Sequence, residues 1–266
     1  YLRASYVDFV NLHSSFGSKL VCCILLLVFS VAATMFASAS KSGDGEYPYN
    51  TFMVPCTVEV LKFLASSLLL QVNKVSGTGG SELSYSLENF LHYSLPAFCY
   101  FICNNCMLFI IRDLGPATFQ ILNNLKVITT AAFMYIFLGK KISWLRWKAL
   151  IILAAGCMVS QLRTCDSPTH SSNSRVHGYF WVLLNAIISG FGGVLSEKLL
   201  KGRGERMESI HWQNMQLYFF GILFGLFSLL REGVKTSLGV YHGFNSAACA
   251  AVASLAICGL LVSFIL

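Results

Sequence analysis

Charge is scarce in this chain. Asp, Glu, Lys and Arg make up 12% of its 266 residues, about half the roughly 25% of a soluble domain. No signal peptide stands out, because the first apolar run, 19–40, is too long for a signal core and lacks a cleavage site. There is no Asn-x-Ser/Thr sequon. The Cys103-x-x-Cys106 pair has no second half and falls inside an apolar run, as do most of the ten cysteines. They read as small membrane-core residues, and no metal and no cofactor are expected. An enzyme would need a nucleophile, base or metal constellation. His13, His92, His170, His177, His211 and His242 are scattered, with no partner at helical spacing. The chain is therefore read as a non-enzyme.

Long apolar runs are what the chain has in abundance. Apolar residues reach 55% and mean hydropathy is +0.64, so lipid is the expected solvent. Eight segments can span: 19–40, 51–73, 90–112, 115–138, 144–162, 178–200, 209–230 and 244–266. Each is near the ~20 residues that a ~30 Å hydrocarbon core requires. The net charge of +7 sits in short loops between these runs, a membrane pattern and not a nucleic-acid footprint. Eleven of the 19 Lys and Arg fall on one side, including Lys140, Lys141, Arg146 and Lys148, and six on the other. The richer side, which holds the N-terminal segment 1–18, is expected to be cytosolic. The chain opens at Tyr1 and stops inside an apolar run, and it reads as a piece of a longer protein.

The informative residues are polar groups at membrane depth. Lys126 lies near the middle of the fourth span, where a lysine costs on the order of 2.5–3.5 kcal/mol and should meet an anion in a cavity. Gln120, Asn123, Lys126 and Thr130 step by three or four, forming one polar stripe. A stripe ending in a cation suits a ligand with hydrogen-bonding groups and a phosphate. The alternative is a structural lysine paired with another span, for instance at Glu59. Tyr100 and Asn104, four apart, share a helix face, where an aromatic could stack on a base and an amide read its edge. Asn105 points about 100° away, and its role stays open between ligand and interhelical bonding. Glu59 and Lys62, three apart, can neutralise each other or act as a gate. In Ser189-Gly190-Phe191-Gly192-Gly193 and Ser196, the small-xxx-small pairs Ser189/Gly193 and Gly192/Ser196 serve close helix approach or a substrate passing near backbone. Asn214 and Tyr218 again share a face.

Glu59-Val60-Leu61-Lys62, Cys99-Tyr100 with Asn104-Asn105, Phe119-Gln120 with Leu125-Lys126, Gly139-Lys140-Lys141-Ile142-Ser143, Ser189-Gly190-Phe191 through Lys201, and Gln213 through Tyr218 together resemble the CMP-sialic acid / UDP-galactose / UDP-N-acetylglucosamine transporter family, of the drug/metabolite transporter superfamily. The resemblance runs from about Leu20 to the end. It implies an all-α polytopic membrane bundle, eight spans of a ten-span inverted-repeat transporter. Residues 19–163 would form the first five-span repeat, 164–177 the connecting loop, and 178–266 the first three spans of the second repeat. It implies a multi-pass antiporter of the Golgi membrane, with the endoplasmic reticulum as the other candidate, exchanging a nucleotide sugar for the nucleoside monophosphate. Tyr100, Asn104, Asn105, Phe119, Gln120, Asn123, Lys126, Ser189, Gly190, Asn214 and Tyr218 would bind the substrate. Cys103, Phe119 and Asn123-Asn124 depart from the sialic-acid carriers, which leaves the sugar open, and a second phosphate-binding lysine would lie past Leu266. Expected partners are the nucleotide sugar, the monophosphate and the bilayer, not nucleic acid, and a homo-oligomer is compatible with them. Rival readings are a carrier of another anion, such as a sugar phosphate, or a membrane scaffold that does not transport.

Overall fold

The computed structural model describes residues 2–75, 87–162, 172–201, 210–232 and 241–265. Ten helices, and no strand, occur among them. They are α1 (Leu2–Ala39), α2 (Met53–Val75), α3 (Leu87–His92), α4 (Ser94–Leu114), α5 (Pro116–Leu122), α6 (Leu125–Leu138), α7 (Trp144–Leu162), α8 (Ser172–Lys201), α9 (Ile210–Glu232) and α10 (Ser246–Ile265). Six stretches are long and apolar enough to cross a membrane: Lys19–Ala39, Met53–Val72, Leu87–Leu114, Pro116–Leu138, Val176–Leu199 and His211–Arg231. Helices α7 and α10 stand where the other two spans are expected. The molecule is a polytopic helical membrane protein. Large apolar side chains face outward on its perimeter, among them Leu27 and Val28 of α1, Ile151 and Ile152 of α7, and Phe227 and Leu230 of α9. In water such a surface would be a liability; against acyl chains it is the stable arrangement.

Helix ends follow local chemistry. Gly115 takes φ +81° between α4 and α5, and Pro116 opens α5, where its missing N–H costs nothing. Gly139 closes α6 in the left-handed conformation, its N–H bonded to Met134 O. Asn245 caps α10 by accepting the N–H of Ala248 at 2.8 Å.

One sequence expectation is corrected. The fourth span is not one helix: it breaks at Asn123–Asn124. Backbone bonds there run three residues back, from Asn124 to Ile121, Lys126 to Asn123 and Val127 to Asn124, a tighter 3₁₀ turn. The Asn124 side chain donates to Gln120 O and Ile121 O, occupying carbonyls of the preceding turn. Gln120 therefore lies on α5, Asn123 in the turn, and Lys126 and Thr130 on α6, so the expected stripe is interrupted. The segment 2–18 is continuous with the first span as one 38-residue helix.

Three helix pairs organise the interior: α1 on α10, α4 on α8, and α2 on α9, with α6 also against α8. Small residues allow the contact. Ala248 and Ala251 of α10 are buried. A Cβ on Gly192 would lie 2.9 Å from Cys99 Cβ of α4, and one on Gly190 would lie 2.5 Å from Thr129 Oγ1 of α6. Without a hydrophobic force between helices in lipid, such close backbone approach supplies the packing energy.

Candidate functional site

One end of the bundle is sealed. Lys41, in the 40–52 connection, donates to Ile111 O at 2.8 Å, and Tyr49 and Ser40 bond through their hydroxyls at 2.6 Å. Arg112 bridges Glu46 and Asp113 at 3.3 and 2.9 Å. Asp113 also meets His177 Nδ1 of α8 at 2.7 Å, while His177 Nε2 accepts from Trp181 at 2.9 Å. Asn245, before α10, donates to Ser40 O, and the Phe244 ring lies 4.9 Å from Tyr49. The connection between α1 and α2 is thus fastened to α4 and to the start of α10, and α4 to the start of α8. Burial pushes the Tyr49 phenol above its ordinary value near 10, an effect partly opposed by the Ser40 bond. Burial holds the Lys41 ammonium below its ordinary value, with Asp113 partly opposing that.

Toward the other end, on the side of Lys140 and Lys141, the helices part around a cavity of about 720 Å³. Its wall comes from α2, α4, α8, α9 and α10. The volume falls in the range of small-molecule sites. Glu59 and Lys62 form its ionic floor, 2.5 Å apart and both buried. Asn104 reaches Glu59 Oε1 at 3.4 Å, and Lys62 Nζ stands 4.4 Å from the centre of the Tyr218 ring. Glycines make room for the pair: Gly221 of α9 lies against Glu59 and Gly259 of α10 against the Lys62 stem. Tyr100 bonds Ser196 at 3.1 Å across α4 and α8. Near the basic end Glu197 is ion-paired with Lys140. Apolar chains and a few convergent polar groups give a pocket suited to a ligand with a planar ring and hydrogen-bonding edges.

Of the thirteen residues expected to bind substrate or gate it, six share this cavity, Glu59, Lys62, Tyr100, Asn104, Asn214 and Tyr218, and so do Gly193 and Ser196 of the small-residue stretch. Seven lie outside its lining. Asn105 is buried and donates to Phe101 O at 2.7 Å. Gln120 donates to Ser30 O and Thr34 Oγ1, tying α5 to α1. Phe119 and Asn123 border a small cleft with Asn185. Gly190 is occupied by the α6–α8 contact. Lys126 is exposed on α6. Cys103 Sγ donates to Asn185 O at 3.7 Å across α4 and α8, and Ser189 lies one turn further along α8.

Sequence reading did not single out Pro55, Tyr93, Gln213, Gly221 or Gly259 as site residues, although they line the cavity. Pro55 precedes Glu59 by four, Gln213 precedes Leu217 by four, and Gly221 follows it by four, so helical register could have found them. Gly259 had no such signal, because only the packing of α10 on α2 brings it to Lys62. Among the described residues, no group of three His, Cys, Asp or Glu could hold a metal ion.

A nucleotide-sugar transporter family profile matches residues 14–266. CMP-sialic acid transporter 1 of Arabidopsis thaliana is 29% identical over 253 residues, covering 91% of this chain and 73% of that protein. CMP-sialic acid transporter 2 of Oryza sativa subsp. indica is 31% identical over 252 residues, covering 93% and 69%. UDP-N-acetylglucosamine transporter of Rattus norvegicus is 31% identical over 257 residues, covering 91% and 77%. With residues 14–266 matched by the family profile and more than nine-tenths of the chain covered by these relatives, the chain belongs to the nucleotide-sugar transporter family.

Proposed function

We propose that this protein exchanges a pyrimidine nucleotide sugar for the nucleoside monophosphate across the Golgi membrane by alternating access. UDP-galactose and CMP-sialic acid are the leading substrates. The observation that carries the proposal is a cavity open toward the basic end and sealed at the other, with aromatic, amide and cationic groups converging at its floor. Such an arrangement is one of the two states an alternating carrier must adopt. Relatives named for CMP- and UDP-sugars favour a pyrimidine over a purine. Helix pairing supports two repeats. Exchanging spans one and six, two and seven, and three and eight turns α1·α10 into α8·α4 and leaves α2·α9 unchanged, and these are the principal contacts among those spans.

In this reading Tyr100 and Asn104 meet the nucleotide, Asn214 and Tyr218 complete the opposite wall, and Lys126 approaches the phosphate once the carrier closes. Ser189 and Asn105 support that group, and Phe119, Gln120, Asn123 and Gly190 hold α5 and α6 in place behind it. Glu59 and Lys62 are the gate between states. The test is radiolabelled UMP and CMP exchange by the full-length protein in proteoliposomes, competed with UDP-, CMP- and GDP-sugars. Exchange with UDP- or CMP-sugars is the expected result. Exclusive exchange of GMP for a GDP-sugar would overturn the pyrimidine assignment, and exchange of sugar phosphates alone would favour the anion-carrier alternative.

A further inference from the structure

Between Asp113 and Asp166 the chain has no acidic residue, yet Lys140, Lys141, Arg146 and Lys148 fall within nine residues there. They stand where one span ends and another helix starts, since Pro116–Leu138 can cross a membrane and α7 opens at Trp144. Lys140 is ion-paired with Glu197 of α8. Lys141, Arg146 and Lys148 have no carboxylate partner among the described residues.

A surplus of cations at one end of a bundle is what topology alone requires. The placement of Lys148 asks for more. At about 3.6 residues per turn it falls in the middle of a stripe formed by Trp144, Leu145, Ile151, Ile152 and Val159 of α7, all exposed. This is the face that α7 turns to lipid. Arg146 lies on the other side of the helix, above Leu153 and Cys157, which pack into the bundle. A lysine about 6 Å into the helix on a lipid-facing stripe lays its stem along acyl chains and lifts its ammonium to the headgroups. Trp144 marks the same depth, because indoles settle at the membrane interface, and Lys148 Nζ stands 5.9 Å from the centre of its ring. The ammonium keeps its N–H groups for an oxygen anion.

We propose that Lys148 and Trp144 form a binding site for an anionic phospholipid, with the ammonium on the headgroup phosphate and Trp144 and Leu145 against the acyl chains. Three cations without carboxylate partners favour a net negative headgroup over a zwitterionic one. The apolar stripe that runs on along α7 adds affinity only for a ligand that carries chains. Through Lys140 and Glu197 the same connection meets the cavity wall, so the lipid sits beside the mouth of the cavity. The site is independent of which substrate the cavity takes.

The test uses the full-length protein in phosphatidylcholine vesicles with a minor share of phosphatidylserine, the acyl chains of one lipid or the other being brominated. Bromine quenches tryptophan on contact, and the part of the signal lost in Trp144→Phe reports the lipid at Trp144. Phosphatidylserine is expected to be enriched there about 5-fold over phosphatidylcholine. Lys148→Gln should remove the enrichment, and Arg146→Gln, which takes the same charge from the other face, should keep most of it. Should Lys148→Gln fail to insert, Lys148→Met, which suits a lipid-facing stripe, carries the same comparison. Equal loss in the two variants would overturn the proposal, because it would reduce the site to diffuse surface charge. So would displacement of the lipid by soluble glycerophosphoserine, which would make this a site for a free anion. Equal quenching by both lipids in the unaltered protein would overturn it outright.

Discussion

The two lysines at membrane depth differ in their neighbours. Lys62 is buried against Glu59 at 2.5 Å. Lys126 has no carboxylate within ion-pair distance among the described residues. Removing one partner of a buried pair leaves an uncompensated charge, so Lys62→Met should cost about 3–5 kcal/mol of stability. The double variant Glu59→Gln/Lys62→Met should recover most of it. Lys126→Ala should leave the melting temperature nearly unchanged and abolish UMP binding. Thermal unfolding and binding measured on the same samples check both, and a destabilised Lys126→Ala that still binds would reverse the assignment. A similar contrast separates two glycines of α8. A Cβ on Gly190 would meet Thr129 Oγ1 at 2.5 Å and the Thr130 backbone nitrogen at 2.8 Å, whereas one on Gly193 meets nothing within 4 Å. Gly190→Ala must push α6 from α8 and should cost about 1–3 kcal/mol. Gly193→Ala should melt normally and act only on ligand affinity, through the methyl it adds to the cavity. Equal melting of the two variants would sink the packing argument.

At the level of elements, the 40–52 connection is the clasp of the sealed end, and its pH response follows from its burial. The Tyr49 phenol is held neutral in the fold, its ionisation raised by burial. The stability this gives is fully present below the unfolded value near 10 and is lost as pH rises through the folded one. Lys41 has the opposite sign: its lowered value means a cost that is relieved as pH climbs toward 10.5. Tyr49→Phe should therefore lose about 1 kcal/mol at pH 8, the Ser40 hydrogen bond, yet fall less than the unaltered protein between pH 8 and 11. Melting curves in detergent at both pH values decide it, and an equal fall would show that the phenol does not titrate the clasp. The positions of the helices were legible in the apolar runs because lipid imposes both length and composition on a span. The break at Asn123–Asn124 was not, since it depends on Asn124 competing for two carbonyls, and a 3.6-residue periodicity carries straight through it. Tyr100 with Asn104, and Asn214 with Tyr218, could be paired from register alone. Their meeting with Glu59 and Lys62 could not, because it requires α2, α4 and α9 to come together, a fact of packing between segments far apart in the chain.

For the molecule as a whole, the contrast between its ends determines what a carrier must do. The cavity ends at the Glu59–Lys62 floor, and beyond it lie the buried Val54, Leu108, Ile110 and Ile111 and then the clasp of Lys41, Tyr49, Arg112, Asp113 and His177. A fixed pore would need a passage through that core. Alternating access needs the clasp to open, with α4 and α8 parting at Asp113–His177 and the 40–52 connection letting go of α4 and α10, while the cavity end closes. Cysteines placed at 113 and 177 in a Cys-depleted variant, bridged by a short bifunctional thiol reagent, would hold the sealed end shut. The bridged protein should still bind UMP from the open side with near-normal affinity, because neither position lines the cavity. It should not exchange UMP across proteoliposomes, and cleaving the bridge should restore exchange. Exchange that survives complete bridging would mean that the sealed end need not open for transport, and the two-state scheme would fall. Loss of UMP binding on bridging would instead show that the two ends are coupled in the empty carrier more tightly than a rocking motion about a rigid floor permits.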